Sequence, residues 1–436
     1  MKNIKQWIAP LAASAVLLSG AALPAQDWPQ WRGVNRDGKT GDFAVPPVWP
    51  TNLTQKWKIN VGKGDASPAL VGGNLYVFAR QGDDEALYCL DAATGNTKWK
   101  SAYQPNYVVT GPAANHPGPR SSPVVAGGKV CTLGICGIFS CFDASTGAIL
   151  WQKKSNNDYL GVQYKTESAM SPLVEDGRCI VQVGPATNGA IIAFDLATGA
   201  PKWKTILLQQ SYCNSFDLTT GEPAWKMEGD GPANSSPVIM TVGGKKQLVI
   251  FSVKWLAGFD VSDGRLLWQV PFEATQGNNA TPVTTGTTVI YAGQGKGMLA
   301  LNLQQKGSNY TTAPLWSDPQ FGGRYTSPVL KDGVLYGSYS GHLFCANAQT
   351  GAAVWDQDAK LGDTAVIVDA GPVLFALGGR GQLVAYKPGN QYTPLAQYTV
   401  ATTETWAHPV IAGSRIYVKD NETIALWTVE QLPSSL

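Results

Sequence analysis

Three histidines, His116, His342 and His408, are the whole imidazole complement of this 436-residue chain. Imidazoles are the first residues to test for proton transfer or metal ligation. Their spacing fits no helical metal motif, and His342 sits in "SGHLFC", a hairpin position that any polar residue can fill. A bound metal is not expected. The seven cysteines include no Cys-x-x-Cys, so neither a zinc ribbon nor a covalent haem is supported. "GQGKG" at Gly293 and "GGRGQ" at Gly378 read as hairpin turns, without the strand-to-helix setting of a phosphate-binding loop. No catalytic residue is assigned.

Polar residues with a common address are more informative. They lie just before a recurring Pro-containing step: His116 and Arg120 in "NHPGPRSSP", Glu167 in "YKTESAMSP", and Asn234 in "GPANSSP". Asn278 and Asn279 precede "ATP", Arg324 and Tyr325 precede "TSP", and Trp406 and His408 belong to "TWAHP". If these segments converge, guanidinium, amide, carboxylate and aromatic groups share one mouth. Arg there can hold carboxylates in two-pronged hydrogen bonds, so an extended peptide or a small anion is the expected ligand. His116 and His408 meet only if two such mouths converge.

The elements that position them come from a repeat. An acidic residue, three positions, Gly, three positions and Trp recur as Asp91–Gly95–Trp99 and Asp143–Gly147–Trp151. The skeleton returns at Asp195–Gly199–Trp203, Asp217–Gly221–Trp225 and Asp260–Gly264–Trp268, with Asn347–Gly351–Trp355 as a looser copy. Each unit opens on Ser/Thr/His-Pro, turns at Gly-Gly or Asp-Gly, and continues through short apolar strands. Four strands with Gly-rich hairpins result. Asp can bond amides inside its turn, and Gly supplies the left-handed conformation.

A four-stranded sheet cannot bury both faces alone, whereas stacking sheets in a ring can. The Trp is then a packing wedge between sheets; Trp57, Trp99, Trp151, Trp203, Trp225, Trp268, Trp316 and Trp355 take that role. Units fall at 66–100, 121–154, 168–226, 235–272, 278–318, 325–358, 364–400 and 405–427. The seventh has Tyr398 in place of Trp, and the eighth lacks a fourth strand. "LTQKWKINV", around Trp57, supplies it and closes the ring. The fold class is therefore all-β, an eight-bladed propeller over 52–430, with a lead-in at 26–51 and a tail at 431–436. Trp203 and Trp225 are 22 residues apart, which points to a local duplication and an extra hairpin outside blade three; which copy holds the true fourth strand stays open. Cys89, Cys141 and Cys345 occupy a slot that other copies fill with Gly, Ala or Ser, so they read as small buried thiols; Cys131, Cys136, Cys179 and Cys213 stay open.

Residues 1–25 read as a secretory signal: Lys2 and Lys5, then an apolar core ending in small residues. No Cys near the cleavage region offers a lipid attachment point. The mature chain is expected to be exported to the periplasm or beyond, without a membrane span, as a monomer. Net charge is +2 with no block of like charge, which gives no footprint for nucleic acid.

The repeated skeleton and Ser-Pro openings resemble the pyrroloquinoline-quinone (PQQ)-like propeller superfamily over nearly the whole mature chain. "DWPQWRG", with Trp28, Trp31 and Arg32, is similar to uncharacterised secreted propellers of that kind. The resemblance implies two branches. Quinoprotein alcohol dehydrogenases hold quinone and calcium at the ring's centre, whereas non-enzymatic BamB-type scaffolds bind protein. This chain lacks the vicinal Cys-Cys pair, the large insertions and a matching catalytic Asp or calcium-ligand set of the first branch. It also lacks the lipobox usual in the second. An exported scaffold for a protein or peptide partner, with no cofactor, is the expectation. PQQ with calcium, or a carbohydrate at the mouth, is the alternative.

Overall fold

In the computed structural model the described residues are 26–429, apart from 42, 106–113, 155–156, 160–167, 186–187, 209–212, 217–222 and 228–229. The secretory-signal reading, Glu167 and the C-terminal tail fall outside them. Eight antiparallel sheets follow one another along the chain. Seven are made of consecutive strands, at 69–103, 124–153, 173–227, 238–271, 283–318, 329–358 and 365–399. The eighth takes Val410–Ala412, Arg415–Lys419 and Thr423–Thr428, and its fourth strand is Thr54–Asn60 from the other end of the chain. The ring closes as the sequence predicts, and no blade edge is left between the first and last sheets.

Within a blade the middle strands are apolar almost throughout, as in Leu75–Ala79 and Ala86–Leu90, because both sheet faces meet neighbouring blades. The fourth strand alternates, as in Thr97–Tyr103, because it is the outer wall. First strands of neighbouring blades touch one another, between blades one and two, two and three, four and five, and six and seven, and form staves near the axis.

The Asp–Gly–Trp skeleton joins two blades rather than one. Asp143 Oδ1 accepts the amides of Ser145 and Thr146, each at 2.9 Å, and Gly147 sits at φ 76°. Trp99 of the preceding blade lies on that glycine, where an added Cβ would come within 2.5 Å of the indole. Its Nε1 donates to Ala144 O at 3.2 Å. The pattern repeats with Trp151 on Gly199, Trp203 on Gly264 and Trp316 on Gly351, donating to Leu196, Val261 and Ala348 carbonyls. Trp57 closes the circuit on Gly95, and Trp355 donates to Gly389 O. Trp268 differs. Blade five has a long hairpin instead of the Asp turn, so this indole folds over its own sheet at Gly258 and donates to Gln247 Oε1 at 2.6 Å. Tyr398, in the Trp position of blade seven, donates to Pro50 O.

Register also explains the small-residue slot. Cys89, Cys141, Ala193, Gly258, Ala300 and Cys345 each stand directly across from their own blade's Trp. A bulge lies beside every one of these pairs and twists the outer strand there. Cys89, Cys131, Cys136, Cys141, Cys179 and Cys345 are buried free thiols. The duplicated hairpin of blade three is settled by the pairing. Pro201–Leu208, with Trp203, is the fourth strand, and Cys213–Phe216 and Pro223–Met227 continue the sheet outward as a fifth and sixth. Trp225 stands opposite Ser215 in that extra hairpin; its side chain is outside the described residues.

Candidate functional site

Around the axis the residue before the opening proline has, in blades one, two, three, five and eight, a job the sequence reading missed. Its amide lies where the sheet has ended, and it donates to the hydroxyl at the same position in the next blade. Ser67 N donates to Ser122 Oγ, Ser122 N to Ser171 Oγ and Ser171 N to Ser236 Oγ, each at 3.0 Å. Thr281 N donates to Ser327 Oγ at 2.7 Å, and His408 N to Ser67 Oγ at 2.7 Å. Proline next in sequence has no N–H to satisfy and holds the preceding residue extended. A hydroxyl belt thus ties blade to blade at the axis. The signal was visible: a small hydroxyl recurs before the proline.

The lead-in enters this axis. Asp27 accepts Gly72 N, and Trp28 exchanges backbone bonds with Leu70, in the middle of blade one's first strand Ala69–Val71. Pro29 O accepts Val125 N of blade two, and Gly38 and Thr40 bond to Asp369 of blade seven. Arg32 and Arg36, both in the left-handed backbone region, turn their side chains into the ring. Arg32 donates to the Ser327 and Pro328 carbonyls at 2.8 and 2.7 Å, and Arg36 to those of Ser171 and Pro172 at 3.0 and 2.9 Å. Both guanidiniums are buried. Burial pushes Arg32 down to about 10, against the pull of Asp37, and Arg36 down to about 9. Trp31 donates to Thr281 Oγ1 and packs edge-on against His408 at 4.5 Å. The channel is therefore filled by the chain itself, just beneath the belt.

This filling sorts the predicted mouth residues into two levels. His408 is 1% exposed and lies below the mouth with Trp31. Burial, then the charge of Arg32, holds its pKa well below the ordinary imidazole value. It does not meet His116. Above it, residues from several blades do converge. Asn234 Nδ2 donates to Asn279 Oδ1 at 3.2 Å, and Asn279 Nδ2 donates to Arg324 O at 3.3 Å. Arg324 donates to Gln276 and lies 4.7 Å over the ring of Tyr325. Tyr325 packs edge-on against Trp406 at 5.7 Å, and Trp406 against His116 at 5.9 Å. His116 sits between Asp65 at 3.2 Å and Glu404 at 3.5 Å, and its bond to Asp65 raises its pKa. Arg120 is half-buried beside His116, with no carboxylate partner among the described residues. Asn278 instead braces a loop, donating to Ser252, Val253 and Phe272 carbonyls. His342 lies away from this group, on Asp356 at 2.8 Å.

A quinone with calcium would have to share the axis with Trp31, Arg32 and Arg36. Among the described residues there is no cluster of three or more His, Cys, Asp or Glu that could hold a metal ion. No helix among them is long and apolar enough to cross a membrane.

The blades, their stitched axis and the circuit of indoles define a PQQ-like eight-bladed β-propeller. Residues 83–357 match the family described as outer membrane protein assembly factor BamB, and the chain belongs to that family. It is similar to the BamB of Burkholderia pseudomallei (strain K96243), 24% identical over 428 residues, covering 90% of this chain and 99% of that one. It is also 24% identical over 364 residues to a polyvinylalcohol dehydrogenase of Sphingopyxis sp. (strain 113P3), covering 69% of this chain and 55% of the relative. Among solved structures, BamB from Moraxella catarrhalis superposes with a TM-score of 0.58 at 14% identity, over 88% of this chain and 99% of that one. The quinohemoprotein alcohol dehydrogenase of Comamonas testosteroni gives 0.54 at 15% identity, over 94% and 82%. At such identities the superpositions establish the fold.

Proposed function

We infer that this protein is an exported, non-catalytic scaffold that binds a protein or peptide partner in the cell envelope. The observation that carries this reading is the filled axis. The resemblance puts the quinoprotein branch's chemistry at the ring's centre, and in this chain Trp31, Arg32 and Arg36 cross the axis bonded to the blades, which supports a ring used without a cofactor. What the ring offers a partner is its loop face and outer walls, and scaffolds use such surfaces. Membership of the BamB family and the absence of a vicinal Cys-Cys pair in the sequence support the same direction. The basic-then-apolar residues 1–25 support export.

Crosslinking in the native envelope tests the reading, with one reproducible protein partner as the expected result. Calorimetric titration with PQQ plus calcium is the counter-test. Stoichiometric micromolar binding, with dye reduction by an alcohol or sugar, would replace the scaffold with an oxidoreductase.

A further inference from the structure

The mouth has a chemical character that narrows its partner. Tyr325, Trp406 and His116 meet edge to face and form one aromatic strip across the approaches to blades six, eight and two. Tyr325 is 39% exposed, and Trp406 and His116 are partly exposed. Beneath, Trp31 and His408 shut the axis, so a ligand lies across the strip instead of entering the ring.

The charges around the strip are unevenly satisfied. Among the described residues, the carboxylates of Asp65 and Glu404 bracket His116, and Glu404 also accepts Trp406 Nε1 at 3.1 Å. Two guanidiniums have no carboxylate partner among the described residues: exposed Arg324, whose side chain donates to Gln276 and lies over the face of Tyr325, and half-buried Arg120. The strip therefore presents aromatic faces flanked by two cations that want oxyanions.

Resting on the scaffold reading, we propose that this mouth docks an extended peptide segment rich in aromatic and acidic residues. Its rings pack on Tyr325 and Trp406, and its carboxylates pair with Arg120 and Arg324. A neutral saccharide would use the same aromatic faces but would be indifferent to the guanidinium groups.

The test uses the full mature chain and three probes: a labelled peptide alternating Asp or Glu with Phe and Trp, its Lys-substituted counterpart, and a neutral glucan hexamer. The acidic peptide is expected to bind at least about tenfold more tightly than the Lys peptide at low salt. Arg120→Gln with Arg324→Gln is expected to remove about tenfold, and Trp406→Ala a similar amount. A thermal scan separates lost binding from lost folding, and Arg324→Gln alone, at an exposed site, serves if the double variant unfolds. Equal affinity for both peptides, unchanged affinity in the folded Arg variants, or tighter glucan binding overturns the proposal. If envelope crosslinking to the partner persists while the acidic peptide fails to bind, the scaffold reading stands and this mouth assignment falls.

Discussion

Ser121 and Ser122 are neighbours in sequence and both buried, yet only Ser122 Oγ accepts a backbone amide from the adjacent blade. Ser121 Oγ has no hydrogen-bond partner among the described residues. Removing the Ser122 hydroxyl strands the buried Ser67 N–H, so Ser122→Ala is expected to cost about 1–2 kcal/mol in urea unfolding. Ser121→Ala should stay within about 0.5 kcal/mol. Equal effects would show that the belt carries no special energy. A glycine pair reads the wedge in the same way. Gly128 has φ 71° and open space around an added Cβ, so Gly128→Ala carries only the left-handed penalty, about 1–2 kcal/mol. Gly147→Ala meets Trp99 as well and should cost about 1–3 kcal/mol more. The midpoint difference between the two variants measures the indole contact.

The lead-in is the element whose role the sequence concealed. Blades announce themselves because a period repeats eight times and each copy checks the others. Trp28, Trp31, Arg32 and Arg36 occur once, and nothing in a single Trp-Arg-Gly tells that two arginines will be buried against strands from blades three and six. Trp268 packs between blades four and five as its skeleton predicts, but its hydrogen bond to Gln247 in its own sheet could not be foreseen, because the following blade lacks the regular Asp turn. The mouth was half legible. Shared position before the proline marked its residues, but which of them stay at the rim depends on the packing of His408 beneath Trp31. That packing gives a pH prediction. His408 has a native pKa well below its unfolded value near 6.5, so above 6.5 neither state gains from protonating it. As pH falls below 6.5 the unfolded chain takes a proton that the native one refuses, and stability drops by up to about 1.4 kcal/mol per pH unit. His408→Gln should flatten that slope in denaturation between pH 6.5 and 5. His116, with its raised pKa, acts oppositely, losing a stabilising proton as pH rises above 6.5, so the comparison with the parent chain isolates His408.

At the scale of the whole ring, closure depends on a seam that no covalent bond crosses. Strand Thr54–Asn60 pairs with Thr423–Thr428, and the buried ammonium of Lys419 donates to Gly64 O at 2.9 Å, Asp420 O at 2.8 Å and Asn421 O at 3.1 Å. Carbonyls from both chain ends thus converge on one cation, whose pKa burial lowers to about 8. Lys419→Met leaves those carbonyls facing a methyl group. It is expected to lower stability by about 2 kcal/mol or more and to open the 54–64 segment to limited proteolysis before the rest of the ring. Cleavage there at the parental rate would show that strand pairing alone holds the seam. The same seam sets an order of assembly. Ribosomes deliver residues 26–60 first, but their neighbours include His408 and Thr428, which arrive last. A growing chain therefore carries its plug and its closing strand idle through the making of seven sheets. A product that stops short of residue 423 is left as an arc with an unmatched ribbon at either tip, a species prone to pair with its own kind.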